Sequence, residues 1–94
     1  MPNYNNYVYI VSDATSDIKE FTASDDGWLH INARGTGTDL GQVTVTINNI
    51  YTLVICAQVN YMQQTQIIPI RKGDIVKCNP ASGQIRNIIF LPNM

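Results

Sequence analysis

The stretch GQVTVTINNIYTLVICAQVN, residues 41–60, decides the fold. Its first half alternates polar residues with apolar ones, which is the period of a β-strand with one buried face. The apolar positions are Val43, Val45 and Ile47. Asn48 and Asn49 follow, and asparagine tolerates the positive φ angles of a tight type I′ turn. The stretch therefore predicts a β-hairpin in which the chain folds back antiparallel after the turn.

The second half of this stretch is apolar on both faces. One face carries Tyr51, Leu53, Ile55, Ala57 and Val59, and the other carries Ile50, Val54 and Cys56. Such a strand is either a central strand covered on both sides or a strand with one face at a subunit interface. The sequence leaves both interpretations open.

Six further segments are rich in β-branched and aromatic residues and are bounded by turn-forming residues, so they predict short strands. These segments span residues 7–12, 18–23, 28–34, 66–71, 74–79 and 85–91. SDDG at 24–27 and RKGD at 71–74 predict turns that place Gly27 and Gly73 in the left-handed region. We expect one domain, residues 1–94, folded as an all-β antiparallel sandwich of about eight short strands, jelly-roll-like.

Composition excludes several classes of partner. Six Lys and Arg against seven Asp and Glu give a net charge of -1, so nucleic acid is not an expected partner. The longest apolar run is far shorter than the roughly 20 residues that span a bilayer, and MPNYNN does not resemble a signal peptide. We expect the chain to be synthesised in a cytoplasm and to make no contact with a membrane. Cys56 and Cys78 could form a disulfide, but free buried thiols are expected in a reducing compartment.

Catalysis is not expected, although Asp25 and Asp26 stand close to His30 in sequence. If residues 28–34 form a strand, His30 lies on the strand face that carries Trp28, Asn32 and Arg34, whereas the two aspartates lie in the preceding turn. One His and two separated Cys cannot fill a tetrahedral zinc site within one chain, and the alternative is a trimer that places three copies of His30 around its axis. The sequence predicts no enzyme, no catalytic residue, no metal and no cofactor.

The strongest binding candidate is the segment NYMQQTQ, residues 60–66. A tyrosine ring among amide side chains can stack on a sugar ring while the amides bond its hydroxyls. The candidate ligand residues are Tyr61, Gln63, Gln64 and Gln66. The alternative is that Tyr61 only anchors a loop.

The order of four motifs resembles the C-terminal knob domains of bacteriophage fibre and head-decoration proteins. The motifs are FTASDDGW at 21–28, GQVTVTIN at 41–48, IPIRKGDIV at 68–76 and IRNIIFLP at 85–92. The resemblance covers residues 20–92 and implies a jelly-roll sandwich of tumour-necrosis-factor-like shape that assembles as a homotrimer. Such knobs usually follow a long shaft, whereas this chain starts almost directly with YVYI, so it is either the knob alone or a small decoration protein.

The function that this resemblance implies is that of a non-enzymatic virion structural protein, a capsid decoration or a knob of a head or tail fibre on the particle surface. Its partners would be further copies of itself and other virion proteins. Candidates for the buried core of the trimer interface are Trp28, Ile50, Tyr51, Val54 and Phe90. The alternative function is a carbohydrate-binding module that recognises a receptor glycan on the host surface.

Overall fold

The computed structural model describes residues 2–93, and the side chains of residues 51 and 52 lie outside that description. Eight β-strands account for the regular structure of the described chain. They are β1 (Val8–Val11), β2 (Lys19–Thr22), β3 (Gly27–Arg34), β4 (Gly41–Ile47), β5 (Ile50–Ala57), β6 (Gln63–Ile70), β7 (Ile75–Ser82) and β8 (Gln84–Pro92). Each strand overlaps a predicted segment, which confirms the predicted all-β architecture. No helix within residues 2–93 is long and apolar enough to cross a membrane.

The strands form two antiparallel four-stranded sheets in jelly-roll order. The first sheet has the order β1-β8-β3-β6, and the second has the order β2-β7-β4-β5. The pairs β4 with β5, β3 with β6, β2 with β7 and β1 with β8 are those of one long hairpin rolled into a sandwich. The hairpin at residues 41–60 is the tip of that roll, so its turn sets every later pairing.

The core lies between the two sheets and consists of the alternate, inward residues of the central strands. From β3 these are Leu29, Ile31 and Ala33, and from β4 they are Val43 and Val45, all fully buried. Burying a side chain of this kind contributes about 1.5 to 3 kcal/mol. The outward residues of the same strands are therefore free to carry function.

Two of the predicted turns are confirmed. Asn48 and Asn49 have φ angles of 53° and 63°, as a type I′ turn requires. Gly73 has a φ of 92°, and the amide of Asp74 donates to the carbonyl of Arg71 at 3.0 Å. The Asp74 carboxylate accepts hydrogen bonds from the backbone N–H of Arg71 and from the Asn48 amide, which lower its pKa.

The prediction for Gly27 is wrong. Gly27 is not left-handed but is the first residue of β3, and it is a glycine because of a close approach. A Cβ at this position would lie 2.6 Å from both the carbonyl oxygen of Leu91 and the ring of Phe90. The structure thus requires glycine here for packing against β8 rather than for its φ angle.

The apolar strand β5 is an edge strand, so the interpretation as a central strand is wrong. It lies at the end of the second sheet, with Val54 and Cys56 on the surface turned away from the core. The two cysteines are free, as predicted, but only Cys78 is buried, and Cys56 is exposed. Burial raises the pKa of the Cys78 thiol to about 12, which makes it inert near neutral pH.

Candidate functional site

The surface of the first sheet that is turned away from the second sheet carries large planar side chains. We call it the outer face. Residues that pair directly across antiparallel strands point to the same side of a sheet. The register therefore places four β3 residues on the outer face together with their partners on β6 and β8. These residues are Trp28, His30, Asn32 and Arg34, then Gln63, Thr65, Ile67 and Pro69, then Gln84, Asn87, Ile89 and the buried Leu91.

A hydrogen-bonded row of amides crosses the outer face between β3 and β6. The Nδ2 atom of Asn32 donates to Oε1 of Gln63 at 2.6 Å, and the Thr65 hydroxyl donates to Oδ1 of Asn32 at 3.1 Å. Asn32 is only 8% exposed, so these bonds fix its orientation. Next to it in register, Oδ1 of Asn87 is buried without a hydrogen-bond partner among residues 2–93. The row therefore offers a fixed set of donors and acceptors, and exposed Gln63 stands at its outer end.

At one end of this row, Tyr61 and Arg34 form a platform. The Nε and Nη2 atoms of Arg34 both donate to Oε1 of Gln84, at 3.1 and 2.6 Å. The guanidinium carbon lies 5.8 Å from the centre of the Tyr61 ring, within the range of a cation–π contact. The ring also passes over Gly37, where any side chain would begin 3.6 Å from Cε2 of Tyr61. We call Tyr61, Arg34 and Gly37 the Tyr61 platform.

The backbone of Tyr61 is strained. Its φ is 58° and that of Asn60 is 62°, so both residues of the turn between β5 and β6 are left-handed. Asparagine tolerates this conformation, but for tyrosine it costs about 1 to 2 kcal/mol. Hydrogen bonds to the loop after β3 hold the turn: Tyr61 N–H donates to the Thr36 carbonyl and Gly35 N–H to the Met62 carbonyl. The ring nevertheless remains 61% exposed.

The structure separates the four predicted ligand residues into two pairs. Tyr61 and Gln63 lie together at the outer face, beside Arg34. Gln64 and Gln66 pair with Ala33 and Ile31, so they point to the opposite side of β6, where they are exposed at the sheet edge. The prediction treated this segment as a loop, but the structure places Gln63 onward in β6.

The five predicted interface residues do not form one surface. Trp28 lies on the outer face, where its Nε1 donates to Oδ1 of Asn93, whereas Val54 lies on the far surface of the second sheet. Phe90 packs against the core between the sheets, and Ile50 is 70% exposed at the start of β5. The side chain of Tyr51 lies outside the described residues.

Asp25 and Asp26 take part in turn hydrogen bonds. Oδ1 of Asp25 accepts the Asp26 N–H, and Oδ1 of Asp26 accepts the N–H of Lys72 at 2.8 Å, which joins this turn to the turn at 71–74. His30 lies on the outer face, as predicted from the strand period. Within residues 2–93, no three His, Cys, Asp or Glu side chains are close enough to hold a metal ion.

The sequence did not single out Asn32, Arg34 or Gln84 as functional residues. The alternation in residues 28–34 already placed Asn32 and Arg34 on one face, and that signal was sufficient to find them. Gln84 gave no such signal, because its contact with Arg34 joins residues 50 positions apart.

These features define a jelly-roll sandwich with an aromatic and amide surface on one sheet. A family 35 carbohydrate-binding module from an environmental isolate has a similar fold, with a TM-score of 0.52 and 16% sequence identity over 88% of this chain and 67% of that chain. A ruminal GH26 endo-β-1,4-mannanase gives a TM-score of 0.50 at 15% identity, but this chain spans only 20% of that enzyme. At these identities the likeness shows the fold alone. No protein-family model and no curated protein matches the sequence.

Proposed function

We propose that this protein is a carbohydrate-binding module that binds a glycan on the outer face of the first sheet. The observation that carries the proposal is the Tyr61 platform beside the row of amides. An exposed ring is placed by a left-handed turn and lies beside the Arg34 guanidinium. Rigid aromatic rings flanked by fixed polar groups are typical of sites that bind amphipathic ligands.

The chemistry of this surface matches a sugar. The apolar face of a pyranose ring can stack on Tyr61, and its equatorial hydroxyls can then bond neighbouring side chains. Gln63 and Gln84 supply amide donors, because their Oε1 atoms already accept hydrogen bonds from Asn32 and Arg34. Arg34 also supplies donors only. The hydrogen bonds that already fix Asn32 and Arg34 reduce the entropy lost on binding.

The fold comparison supports the same class of ligand. The family 35 module is described as carbohydrate-binding, and the GH26 enzyme acts on a β-1,4-mannan. We therefore include a soluble β-1,4-mannan, together with xyloglucan and mixed-linkage β-glucan, in the panel of test polysaccharides.

The decisive experiment is affinity electrophoresis of the purified chain in gels that contain each polysaccharide, followed by calorimetry on any that retards it. Tyr61→Ala should weaken binding at least about tenfold, because the stacking surface is lost. Tyr4→Ala is the matched control, since Tyr4 is 58% exposed and stands near Pro2, which pairs with Asn93 at the far end of β8. Equal loss in both variants would contradict the assignment of the site.

Two adjacent glutamines provide a second matched pair. Gln63 points to the outer face and Gln64 to the opposite side of β6. Gln63→Ala should weaken binding by about three- to tenfold, the value of one hydrogen bond, and Gln64→Ala should leave it unchanged. If no polysaccharide of the panel retards the wild-type chain, the proposed function is wrong.

A second candidate is the virion surface role that the phage-knob resemblance implies, with the chain as a homotrimeric decoration or fibre tip. The supporting observation is the edge strand β5, which has no charged residue along its eight positions and exposes Cys56. Uncharged edges favour pairing with another copy. Native mass spectrometry across a dilution series tests it: a trimer that Val54→Lys dissociates would support this role if Tyr9→Lys, at a 51% exposed position of β1 in the other sheet, leaves the trimer intact. A persistent monomer would remove it.

A further inference from the structure

A cavity lies between the two sheets, on the side where β1 and β2 are the edge strands. We call it the inter-sheet groove. It has a volume of about 530 Å³, within the range of roughly 300 to 1,000 Å³ that is usual for small-molecule sites. Its apolar lining comes from Val8, Ile10, Phe21, Ile70 and Phe90, and Tyr7 and Pro92 stand beside them.

The groove exposes residues that the strand pattern assigns to the core. Val8 pairs with Phe90, so its side chain points toward the interior, yet it is 60% exposed. The reason is that β1 and β2 have only four residues each, and β1 is interrupted by a bulge after Tyr9. These short edges leave the sandwich open, whereas the eight-residue strands β5 and β6 contact each other on the opposite side.

The inter-sheet groove carries negative charge only. Among its twelve lining residues Asp25 alone is charged, and it lies at the polar end with Thr22 and Ser24. Its Oδ1 atom accepts the Asp26 N–H, and no ion pair involves this carboxylate within residues 2–93. A groove with apolar walls and one carboxylate is complementary to an apolar body that carries a positive charge.

We propose that the inter-sheet groove binds a small amphiphilic cation, with an aromatic body between Phe21 and Phe90 and an ammonium group at Asp25. A neutral sugar matches this groove less well, because most of its hydroxyls would face the apolar walls away from the polar end. The groove is therefore a binding site separate from the outer face, and it does not depend on the proposed glycan site.

The test uses two probes that share one ring system, 2-naphthylethylamine and 2-naphthylacetate, titrated at pH 7 into the ¹⁵N-labelled chain and followed by NMR. Chemical shifts should change at the amides of Val8, Phe21, Asp25 and Phe90. The amine should bind at least about threefold more tightly than the acetate, which is the contribution of one exposed charge pair.

Two variants measure separately what the apolar walls and the Asp25 charge contribute to probe binding. Val8→Trp should fill the groove and abolish binding of both probes, whereas Leu40→Trp, at the opposite end of the sandwich, should not. Asp25→Asn keeps the oxygen that accepts the Asp26 N–H and should bring the affinity ratio of the probes to about one. The Asp25→Asn result decides the proposal if Val8→Trp does not fold.

Several results would overturn the proposal. They are no shift at the groove amides, equal affinity for both probes in the wild type, an unchanged ratio in Asp25→Asn, or binding that survives Val8→Trp in a folded protein. A concentration-dependent dimer that shifts the same amides without a probe would assign the groove to a second copy of the chain instead. Polysaccharide binding at the outer face is measured separately, so failure here leaves that result intact.

Discussion

Two turns of this protein share a pair of consecutive positive φ angles but carry different side chains. The turn between β4 and β5 has φ angles of 53° and 63° at Asn48 and Asn49, and the turn between β5 and β6 has 62° and 58° at Asn60 and Tyr61. Asparagine is a low-cost choice for this conformation, whereas tyrosine is a costly one. The residues of the first turn are thus explained by the needs of folding alone, whereas the tyrosine of the second turn is not.

The side chains of the two turns make different contacts. The Asn48 amide donates to Oδ1 of Asp74 at 3.0 Å and accepts the Ile75 N–H at 2.8 Å, so it ties the first turn to the start of β7. The Tyr61 ring instead lies beside the Arg34 guanidinium and stays exposed. Backbone strain that the surrounding structure maintains is concentrated at functional sites. The comparison therefore assigns a structural role to Asn48 and supports the binding role that we propose for Tyr61.

The largest effect on stability is expected for Asn48→Ala. This change should lower the free energy of unfolding by about 2 kcal/mol, because alanine is strained in the left-handed region and the Ile75 N–H loses its acceptor. Asn60→Ala is the matched variant, since it introduces the same backbone strain. Its cost should be only about 1 kcal/mol by urea unfolding. Equal costs at both positions would remove the structural distinction between the turns.

A smaller but more informative effect on the free energy of unfolding is expected for Tyr61→Asn. Relief of roughly 1 kcal/mol of strain should offset the loss of a cation–π contact worth about 0.5 to 1 kcal/mol, so stability should not fall. Polysaccharide affinity should nevertheless drop at least about tenfold. A variant that loses both stability and binding would show that Tyr61 is an anchor of the loop.

The reverse substitution, Asn49→Tyr, tests the cost of tyrosine directly. It places tyrosine at the second left-handed position of the first turn. The free energy of unfolding should fall by about 1 kcal/mol. No change in thermal or urea unfolding would mean that tyrosine is not strained in such a turn, and the argument for Tyr61 would lose its energetic basis.

The sequence predicted the first turn but not the second, and the reason is physical. Asn48–Asn49 stands between two strands with clear patterns, and asparagine signals positive φ. Tyr61 carries no such signal, and the polar run Gln63 to Gln66 lacks the apolar alternation that marks a strand. The beginning of β6 was therefore missed, and with it the separation of Gln63 from Gln64.

Other differences between the sequence predictions and the structure arose from long-range packing. Position 27 must be glycine because Leu91 and Phe90 of β8 approach it closely. This approach depends on how β3 and β8 pair, which no local sequence pattern reveals. The edge position of β5 likewise depends on the sheet order, since a strand apolar on both sides is ordinarily central. The core itself was predictable, because period-two alternation in β3 and β4 fixes which residues point inward.

The smallest expected effect is the pH dependence of the first turn. Hydrogen bonds from the Arg71 N–H and the Asn48 amide lower the pKa of Asp74 below its ordinary value of 3.8. A carboxyl group whose pKa is lower in the folded state contributes stability above its unfolded pKa, and this contribution is lost as pH falls through the folded value. The wild type should therefore lose stability in acid partly through Asp74.

Asp74→Asn isolates this contribution. At pH 7 the variant should be less stable than the wild type, and the difference should shrink as pH falls below about 4, because the wild-type carboxylate then becomes protonated. Asp13→Asn, at an exposed loop position, is the control and should follow the wild-type curve. Thermal unfolding midpoints between pH 7 and pH 2 measure the effect. A difference that stays constant across this range would show that Asp74 holds the turn to Asn48 as a neutral acceptor, in which case the carboxylate charge has no part in fixing the first turn.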